Sequence, residues 1–416
     1  MRRQGAGTTP PRSGGETSGR SAGGSSRLRV LFLTSSSDRY GSDRAVAEMA
    51  SSLSALGCDV AVSAPREGPL LDSLRDAGIL TVVAPLCVVG RSMAPQALFR
   101  SIVASLRARA DIVQALGWFR PHVVCSNTSH VVDGPPLARA LGARHVWQLR
   151  EIERIPALGR RLYGRWLLAR SDRILPISKS VEAAYFLTAA AESTVITDGI
   201  DVSHYRCQER RDWPTVFSPQ RPLRVLAIGR LTPWKGQDVA IGAVIGLLVN
   251  GAPLTLRVVG GALTEADRSF EQRLRAAASP YGTSIIFEGE VNDVRRHYCW
   301  SDVVVHTATK PEPFGRVIVE AMASGSAVIA SDDGGPREIV RDRIDGLLTA
   351  PGDVTALAAK LGDLVQSPSS VARLALAAQE RAAKFGVEVT AQRLAAVLRQ
   401  ICGREYVSAS APKQKS

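Results

Sequence analysis

Short apolar runs that end in small polar residues recur along the chain, and each is followed by a segment with helical spacing. The first run, "RLRVLFLTSSS", begins at Arg27, and "CDVAVSA", "PHVVCSN", "RHVWQL" and "DRILPIS" follow in the first half. The segment after the first run places Ala45, Met49, Leu53 and Leu56 on one helical face. Strands that alternate with helices predict a parallel sheet with right-handed crossovers.

The same pattern restarts after the loop-rich stretch "DGIDVSHYRCQERRDWPTVFSPQRP". The later runs are "LRVLAIGRL", "LTLRVVGG", "SIIFEGEV", "DVVVHTA", "SAVIASDDGG" and "GLLTAPGD", again with helices between them. The pattern predicts an α/β fold of two doubly wound, Rossmann-like domains that face each other across a cleft. Ligands of such sheets bind beyond the carboxyl ends of the strands, so the cleft is the expected site.

Five segments are predicted along the chain. They are a disordered tail at 1–26, an N-terminal domain at 27–205, a C-terminal domain at 206–385, a helix at 386–403 that packs back toward the first domain, and a second disordered tail at 404–416. The Gly, Ser and Pro content of the first tail is typical of disorder.

Charge and cysteine usage narrow the class of protein. The 416 residues carry a formal net charge of +13, which favours anionic partners such as nucleic acid, membrane headgroups or phosphorylated small molecules. Six cysteines stand without C-x2-C spacing or a His/Cys cluster, so we expect reduced thiols, no metal site and a cytoplasmic protein. No apolar run is long enough for a transmembrane helix, and the N-terminus has no apolar signal core.

The stretch "AIGRLTPWKGQDVAIGA" places two cations at the end of a strand. Gly229 ends the strand, Arg230 follows, and Lys235 stands just ahead of a helix. An arginine fork and a lysine point charge at this position predict an anion site. The alternative interpretation is two solvated surface charges.

The stretch "KPEPFGRVIVEAMASG" combines two acids with a helix start. Prolines keep the backbone around Glu312 extended, Gly315 permits close approach of a ligand, and a helix begins near Arg316. The helix N-terminus attracts phosphate, and Glu320, about one turn into the helix, can accept hydrogen bonds from a ribose diol. The spacing fits a nucleotide-diphosphate sugar; the alternative is a helix-start acid beside a solvated glutamate.

With these motifs in order, the chain resembles the family 4 glycosyltransferases, which are retaining enzymes of the GT-B fold. The matching landmarks span roughly residues 28 to 400 and are "YGSDR", "DGID", "GRLTPWKGQD", "VVGG", "FEGEVNDV" and "PEPFGRVIVEAMASGSAVIASDDGGPREIV". The seven-residue spacing between the two glutamates, together with PFG, is the specific part of this resemblance.

The resemblance implies a role for each matching residue. Arg230 and Lys235 would bind the diphosphate and stabilise the leaving group, Glu312 would contact the donor sugar, and Glu320 the ribose. The remaining donor-binding positions are the glycine-rich loop at Gly41 to Arg44, Gly229 at the strand end, and the backbone of Phe314, Gly315, Arg316 and Val317.

One position departs from the family pattern. Many members have a histidine at the end of the strand written here as "RHVWQLRE", where this chain has Arg150 followed by Glu151. Both residues are candidates for contact with the sugar or acceptor, the alternative being an interdomain ion pair. His130, at another strand end, is a weaker candidate. The resemblance implies no metal and no cofactor, with a same-face substitution assisted by the leaving phosphate.

The basic stretch at 159–173, "GRRLYGRWLLARSDR", alternates arginines with Leu162, Trp166 and Leu167. It is typical either of a helix on an anionic membrane surface, which suits a lipid-linked acceptor, or of an ordinary helix with its apolar face in the core.

The predicted function is retaining transfer of a hexosyl unit from a UDP- or GDP-sugar to a glycan or lipid-linked acceptor, in polysaccharide or glycolipid synthesis. A nucleotide-sugar epimerase, a sugar phosphate synthase and a catalytically degenerate scaffold remain alternatives. A nucleic-acid partner is not expected, because aromatic residues are not clustered with the arginines.

Overall fold

The computed structural model describes residues 27–38, 41–88, 95–153, 155–186, 192–208 and 212–403, without side chains for 95–104. Both predicted tails therefore lie outside the described residues. Within the described residues, no helix is both long enough and apolar enough to cross a membrane.

The first sheet has six parallel strands in the order β3-β2-β1-β4-β5-β6. The strands are β1 (Arg29–Leu33), β2 (Asp59–Ala64), β3 (Leu80–Val83), β4 (Val123–Ser126), β5 (Arg144–Leu149) and β6 (Arg173–Pro176). Apart from the edge strand β3, these runs are mostly buried, as expected for a sheet covered by helices on both faces.

The second sheet repeats this topology, with the order β12-β11-β10-β7-β8-β9. Its strands are β7 (Leu223–Ile228), β8 (Leu254–Val259), β9 (Ile285–Gly289), β10 (Val303–His306), β11 (Ala327–Ser331) and β12 (Leu347–Thr349). In both sheets the first strand lies between the second and the fourth, which is the doubly wound order.

Helices connect the strands. They are α1 (Gly41–Ala55), α2 (Pro69–Asp76), α3 (Pro95–Leu116), α4 (Gly134–Leu141), α5 (Ala157–Leu168), α6 (Lys179–Tyr185), α7 (Val202–Tyr205), α8 (Gln237–Val249), α9 (Glu265–Ala278), α10 (Arg295–Trp300), α11 (Arg316–Ser324), α12 (Pro336–Ile339), α13 (Val354–Gln366), α14 (Pro368–Ala382) and α15 (Val387–Cys402). Local sequence sets several of the helix starts: the Ser178 hydroxyl caps α6, and Thr264 with Asp267 forms a capping box on α9.

Hydrophobic packing joins the two domains. One buried cluster runs from Trp147 and Tyr185 of the first domain, through Tyr205 of α7, to Tyr298 and Phe314 of the second domain. The last helix, α15, returns to the first domain, where Ala391, Leu394, Ala395 and Leu398 join the cluster that surrounds β1 and α1. The two sheets and the connecting α7 therefore form one packed unit, which fixes where their carboxyl edges lie.

The predicted pair of doubly wound domains is confirmed, and two details differ from the sequence interpretation. Strand β3 was not predicted, because it is a short edge strand of four residues with little burial contrast. The prediction of six reduced cysteines is wrong for two of them: Cys207 and Cys299 form a disulfide, with 5.6 Å between their Cα atoms. The domain limits at 205 and 385 stay predictions.

Candidate active site between the two domains

Two loops of the second domain meet because their strands are neighbours. Strand β7 pairs with β10, so the loops that follow them leave the same edge of the sheet side by side. The Thr309 amide donates to the Trp234 carbonyl at 2.9 Å, and the Thr307 hydroxyl donates to the Lys235 carbonyl at 3.2 Å. These bonds hold the 3-10 turn Pro233–Lys235 against the loop that carries Glu312.

Lys235 and Glu312 form the charged centre of this edge. The Lys235 Nζ lies 2.5 Å from Glu312 Oε2, and His306 Nε2 lies 3.3 Å from the same oxygen. Burial alone would raise the pKa of Glu312, but the Lys235 charge and the His306 hydrogen bond outweigh it and lower the pKa to about 2. Glu312 is therefore a carboxylate at every physiological pH. His306, the last residue of β10, was not among the predicted site residues.

Gly229 and Arg230 lie at the end of β7. Gly229 has a φ of 141°, and the position where a side chain would begin faces open space. The Arg230 carbonyl accepts a hydrogen bond from Gln237 Nε2 at 2.9 Å, which ties it to the start of α8. The Arg230 side chain is exposed, and its charge interacts with that of Asp267 without an ion pair within 4 Å in the part of the chain that the structure describes. It is thus available to an anion in the cleft.

The backbone of the Glu312 loop is held by a second glycine-containing loop. Glu312 and Gly334 form a parallel bridge, and the Gly335 amide donates to the Glu312 carbonyl at 2.7 Å. A Cβ at Gly334 would lie 2.3 Å from the Glu312 carbonyl oxygen, so no larger residue fits there. The two loops are in backbone contact, and the position of Glu312 depends on both.

Helix α11 begins directly after this loop. Gly315 caps it with a φ of 104° and no side-chain hydrogen bond, which leaves amide groups of the first turn open to a ligand. The Phe314 side chain is buried against Phe385, and Val317 packs partly buried against the same core cluster. Contact of their backbone with a ligand stays a prediction.

Glu320 is buried one helical turn further along α11. Its Oε2 accepts a hydrogen bond of 2.8 Å from the Tyr298 hydroxyl. Its Oε1 has one nitrogen of Arg44 and one of Arg316 at 3.8 Å, which is too long for a hydrogen bond. Arg44 also donates to the Tyr205 hydroxyl. Glu320 therefore has two cations nearby and an oxygen that keeps its capacity to accept.

Arg316 spans the interface between the domains. Its Nη2 lies 3.0 and 2.9 Å from the two carboxylate oxygens of Glu48 on α1, and its Nη1 donates to the Gly199 carbonyl at 3.1 Å. Gly41, at the start of α1, has the Arg316 side chain 3.5 Å from its Cβ position. The predicted residues Gly41 and Arg316 are thus brought together. Glu48 was missed, because nothing in its helix distinguishes it from a surface glutamate.

Arg150 and Glu151 are both engaged inside the protein. Arg150 Nη2 lies 2.5 Å from Asp198 Oδ2, and both side chains are nearly buried. The Glu151 carboxylate accepts from the Thr128 hydroxyl at 2.8 Å and from the amide and hydroxyl of Ser129. Arg150 is therefore in an ion pair, but with a residue of the predicted N-terminal domain rather than across the two domains. Glu151 holds the loop after β4 through its bonds to Thr128 and Ser129.

His130, Glu151 and Glu153 lie together at the carboxyl edge of the first sheet. His130 Nε2 is 2.5 Å from a Glu153 oxygen, and one ligand atom from each of the three residues lies within 4.8 Å of the others. Within the described residues this is the one group with metal-ligand chemistry. A cation there would compete with the hydroxyl and amide donors that already occupy the Glu151 carboxylate.

Two family models match the chain. The model described as glycosyl transferases group 1 matches residues 210–381, and the glycosyl transferase 4-like domain matches residues 40–192. The lipopolysaccharide core biosynthesis mannosyltransferase LpcC of Rhizobium leguminosarum bv. viciae is 31% identical over 246 residues, which are 58% of this chain and 68% of LpcC. The glycogen synthase of Mycobacterium tuberculosis is 27% identical over 66% of this chain, and the match spans slightly less than two thirds of that enzyme, 64%.

Solved structures share the whole architecture. The Anabaena protein HepE, crystallised in complex with UDP, matches with a TM-score of 0.73 and 25% identity over 89% of this chain and 99% of HepE. This structural match covers both sheets. The two family models likewise match one segment in each domain. The chain therefore belongs to the group 1 glycosyl transferases, the family 4 type of glycosyltransferase with the GT-B fold.

Proposed function

We propose that this glycosyltransferase moves a hexosyl unit, with retention of configuration, from a UDP- or GDP-sugar to a glycan or lipid-linked acceptor. The observation that carries the proposal is the 2.5 Å contact between Lys235 and Glu312 at the cleft edge of the second sheet. A cation beside a carboxylate matches a donor whose diphosphate is anionic and whose sugar offers hydroxyl donors.

The diphosphate would bind among three kinds of positive charge. Arg230 is exposed and without an ion-pair partner in the described chain, Lys235 lies in the adjoining turn, and the first turn of α11 offers amides with a positive dipole end. On donor binding, Lys235 would turn from Glu312 toward the phosphates. Together these groups would stabilise charge that develops on the leaving diphosphate, so we propose that transfer needs no metal ion.

The two glutamates would hold the sugar and the ribose. Glu312 stays ionised and would accept hydrogen bonds from hydroxyls of the donor sugar. Glu320 would accept from the ribose through Oε1, the oxygen that has no donor within hydrogen-bond distance in the described protein. The backbone of Phe314, Gly315 and Val317 would line the path between them.

The reaction would proceed on one face of the sugar. The acceptor oxygen forms a bond to the anomeric carbon while the bond from that carbon to the phosphate oxygen breaks. The acceptor proton passes to the departing phosphate, whose negative charge Arg230 and Lys235 offset. The protein then supplies orientation and charge stabilisation rather than a covalent nucleophile.

Both the donor class and the acceptor class draw support from the relatives. HepE was crystallised with UDP and with UDP-glucose, and LpcC is named a lipopolysaccharide core mannosyltransferase. The acceptor would meet the first domain, where His130 and Glu153 form a polar pair at the carboxyl edge of the sheet. Arg150 and Glu151 would act indirectly, by holding the loops that shape this edge.

A membrane contact would bring a lipid-linked acceptor to that edge. The face of α5 predicted to be apolar is partly core, because Leu167 is buried and Trp166 packs on Trp147. The exposed apolar residues are Leu158 and Leu162, at 68% and 58% exposure. Exposed arginines at 161 and 165 accompany them, so we propose that this side of α5 rests on an anionic bilayer.

The test is product analysis with purified protein, UDP- and GDP-hexoses and candidate acceptors. We expect release of UDP or GDP together with a glycoside of unchanged anomeric configuration by NMR, in the presence of EDTA. An inverted product or strict dependence on Mg²⁺ would contradict the proposed mechanism. Conversion of the donor without an acceptor would support the epimerase alternative. A wild-type turnover no higher than that of Glu312→Ala would support the degenerate scaffold.

A further inference from the structure

The disulfide joins two segments that meet beside the nucleotide end of the site. Cys207 follows α7, in the connection between the domains, and Cys299 lies in α10 of the second domain. Cys207 is half-buried and Cys299 is exposed, so thiol reagents can reach the bond. The other four cysteines are free, and three of them are buried.

Each of these cysteines lies next to a buried tyrosine. Tyr205 precedes Cys207 by two residues, and Tyr298 directly precedes Cys299. The two rings meet edge to face, with 5.8 Å between their centroids. The disulfide therefore restrains the two backbone segments that carry Tyr205 and Tyr298.

The tyrosine pair converges on the Glu320 carboxylate. Tyr298 donates to Glu320 Oε2 at 2.8 Å, and Tyr205 accepts from Arg44, which lies 3.8 Å from Glu320 Oε1. Burial and the Glu320 charge raise the pKa of Tyr298, so its hydroxyl remains a donor at physiological pH. The orientation of Glu320 thus depends on α10 through Tyr298, and on α7 through Tyr205 and Arg44.

We propose that Tyr205 and Tyr298 are positioning residues for the nucleotide, and that the Cys207–Cys299 disulfide is the reversible lock that sets them. The inference rests on the proposed function, in which Glu320 binds the donor ribose. With the bond closed, α7 and α10 hold both tyrosines against Glu320 and Arg44. With the bond open, the four-residue α7 loses its tether to α10, and Glu320 is less well oriented.

The chemistry is thiol–disulfide exchange. A thiolate attacks one sulfur of the pair and displaces the other as a thiolate, and a second thiol completes reduction to two cysteines and one reagent disulfide. A low-molecular-weight disulfide such as oxidised glutathione reverses the sequence. Two thiols of the reagent supply the two electrons and two protons for reduction, and a reagent disulfide takes them up again on oxidation.

Thiol counting and calorimetry test the inference on the full chain. The folded protein is first treated with oxidised glutathione or with dithiothreitol, and its thiols are then counted after denaturation. We expect four titratable thiols after oxidised glutathione and six after dithiothreitol. UDP or GDP should bind the reduced protein about three- to tenfold more weakly than the oxidised protein, the effect of one impaired hydrogen bond to a buried carboxylate. Six thiols in the oxidised sample would overturn the inference.

Variants separate this lock from general effects of reduction. Cys299→Ser should bind nucleotide as weakly as the reduced wild type and should not respond to dithiothreitol, whereas Cys402→Ser should respond as the wild type does. Tyr298→Phe should raise the donor KM, leave kcat nearly unchanged and respond less to dithiothreitol than the wild type does, because the route through Tyr205 and Arg44 remains. Equal affinity in both redox states would overturn the lock while leaving the proposed function intact; no nucleotide binding in either state would overturn both.

Discussion

Lys235 and Glu312 stand 77 residues apart in the chain, yet their charged atoms lie 2.5 Å apart. Strands β7 and β10 bring them together, since neighbouring parallel strands present their following loops at one edge. This pair occupies the place where the sequence predicts an anion site and a sugar site. It therefore offers the most direct route to testing the proposed donor binding.

Replacing Lys235 by methionine should remove one of the charges that stabilise the leaving diphosphate. We expect turnover to fall by about 100-fold or more, the usual loss when one such group is removed. Circular dichroism should still report a folded protein. Lys360→Met on α13 is the control and should keep wild-type rates. Near-normal turnover of Lys235→Met would show that Lys235 does not form the proposed anion site.

The two glutamates should differ in what they bind. Glu320→Ala should weaken binding of the nucleotide alone more than Glu312→Ala does, because the free nucleotide carries the ribose but not the sugar. Calorimetry with UDP and GDP checks the order. The reverse order would exchange the ribose and sugar positions.

Gly334 should be intolerant of a side chain. In Gly334→Ala, the new Cβ would press on the Glu312 carbonyl from a left-handed backbone with a φ of 71°. We expect the free energy of unfolding to fall by more than about 1 kcal/mol, and turnover to fall as Glu312 shifts. Gly352→Ala is the matched control: its φ is 77° and nothing lies within 4 Å, so only backbone strain of about 1 kcal/mol should appear, with activity retained. Similar activity losses in the two variants would contradict this explanation.

His145 should make the fold sensitive to mild acid. Burial lowers its pKa from 6.5 to about 3, so the unfolded chain binds a proton at pH values where the folded chain does not. The free energy of unfolding should be unaffected by His145 above pH 6.5. Below that pH it should fall by up to about 1.4 kcal/mol per pH unit, until about pH 3. Urea titrations of wild type and His145→Asn check this, and equal pH slopes in the two proteins would contradict it.

The exposed leucines of α5 should govern vesicle binding. The double change Leu158→Asp and Leu162→Asp should lower affinity for vesicles containing phosphatidylglycerol at least about tenfold, since each buried leucine contributes about 1.5–3 kcal/mol. Leu376→Asp on α14 replaces a similarly exposed leucine and should have no effect. Unchanged flotation of the double variant with vesicles would remove α5 from the membrane contact.

Sequence patterns were informative wherever a strand end carries the chemistry. Gly229, Lys235 and Glu312 lie at carboxyl ends of strands or just beyond them, and the rule that such ends share an edge predicts their proximity. The glycines and prolines around Glu312 likewise identified a loop followed by a helix. These features are local in the sequence, and the order of the strands in the sheet then determines which of them lie close together.

Contacts between distant helices could not be predicted in this way. The Cys207–Cys299 bond spans 92 residues and depends on how α7 packs on α10, which no periodicity reports. The Arg316–Glu48 pair depends on how the domains meet, and the ion pair of Arg150 depends on how the loop that carries Asp198 packs on the end of β5. Each requires knowledge of tertiary packing, so each was found only in the structure.

Calorimetric titration of the wild-type protein with UDP, GDP and ADP, with and without Mg²⁺, tests the central claim most directly. We expect binding of UDP or GDP in preference to the other nucleotides, with the same affinity in EDTA, and loss of that binding in Lys235→Met. Absence of binding for all three nucleotides would contradict the donor site and leave the Lys235–Glu312 pair as a structural ion pair.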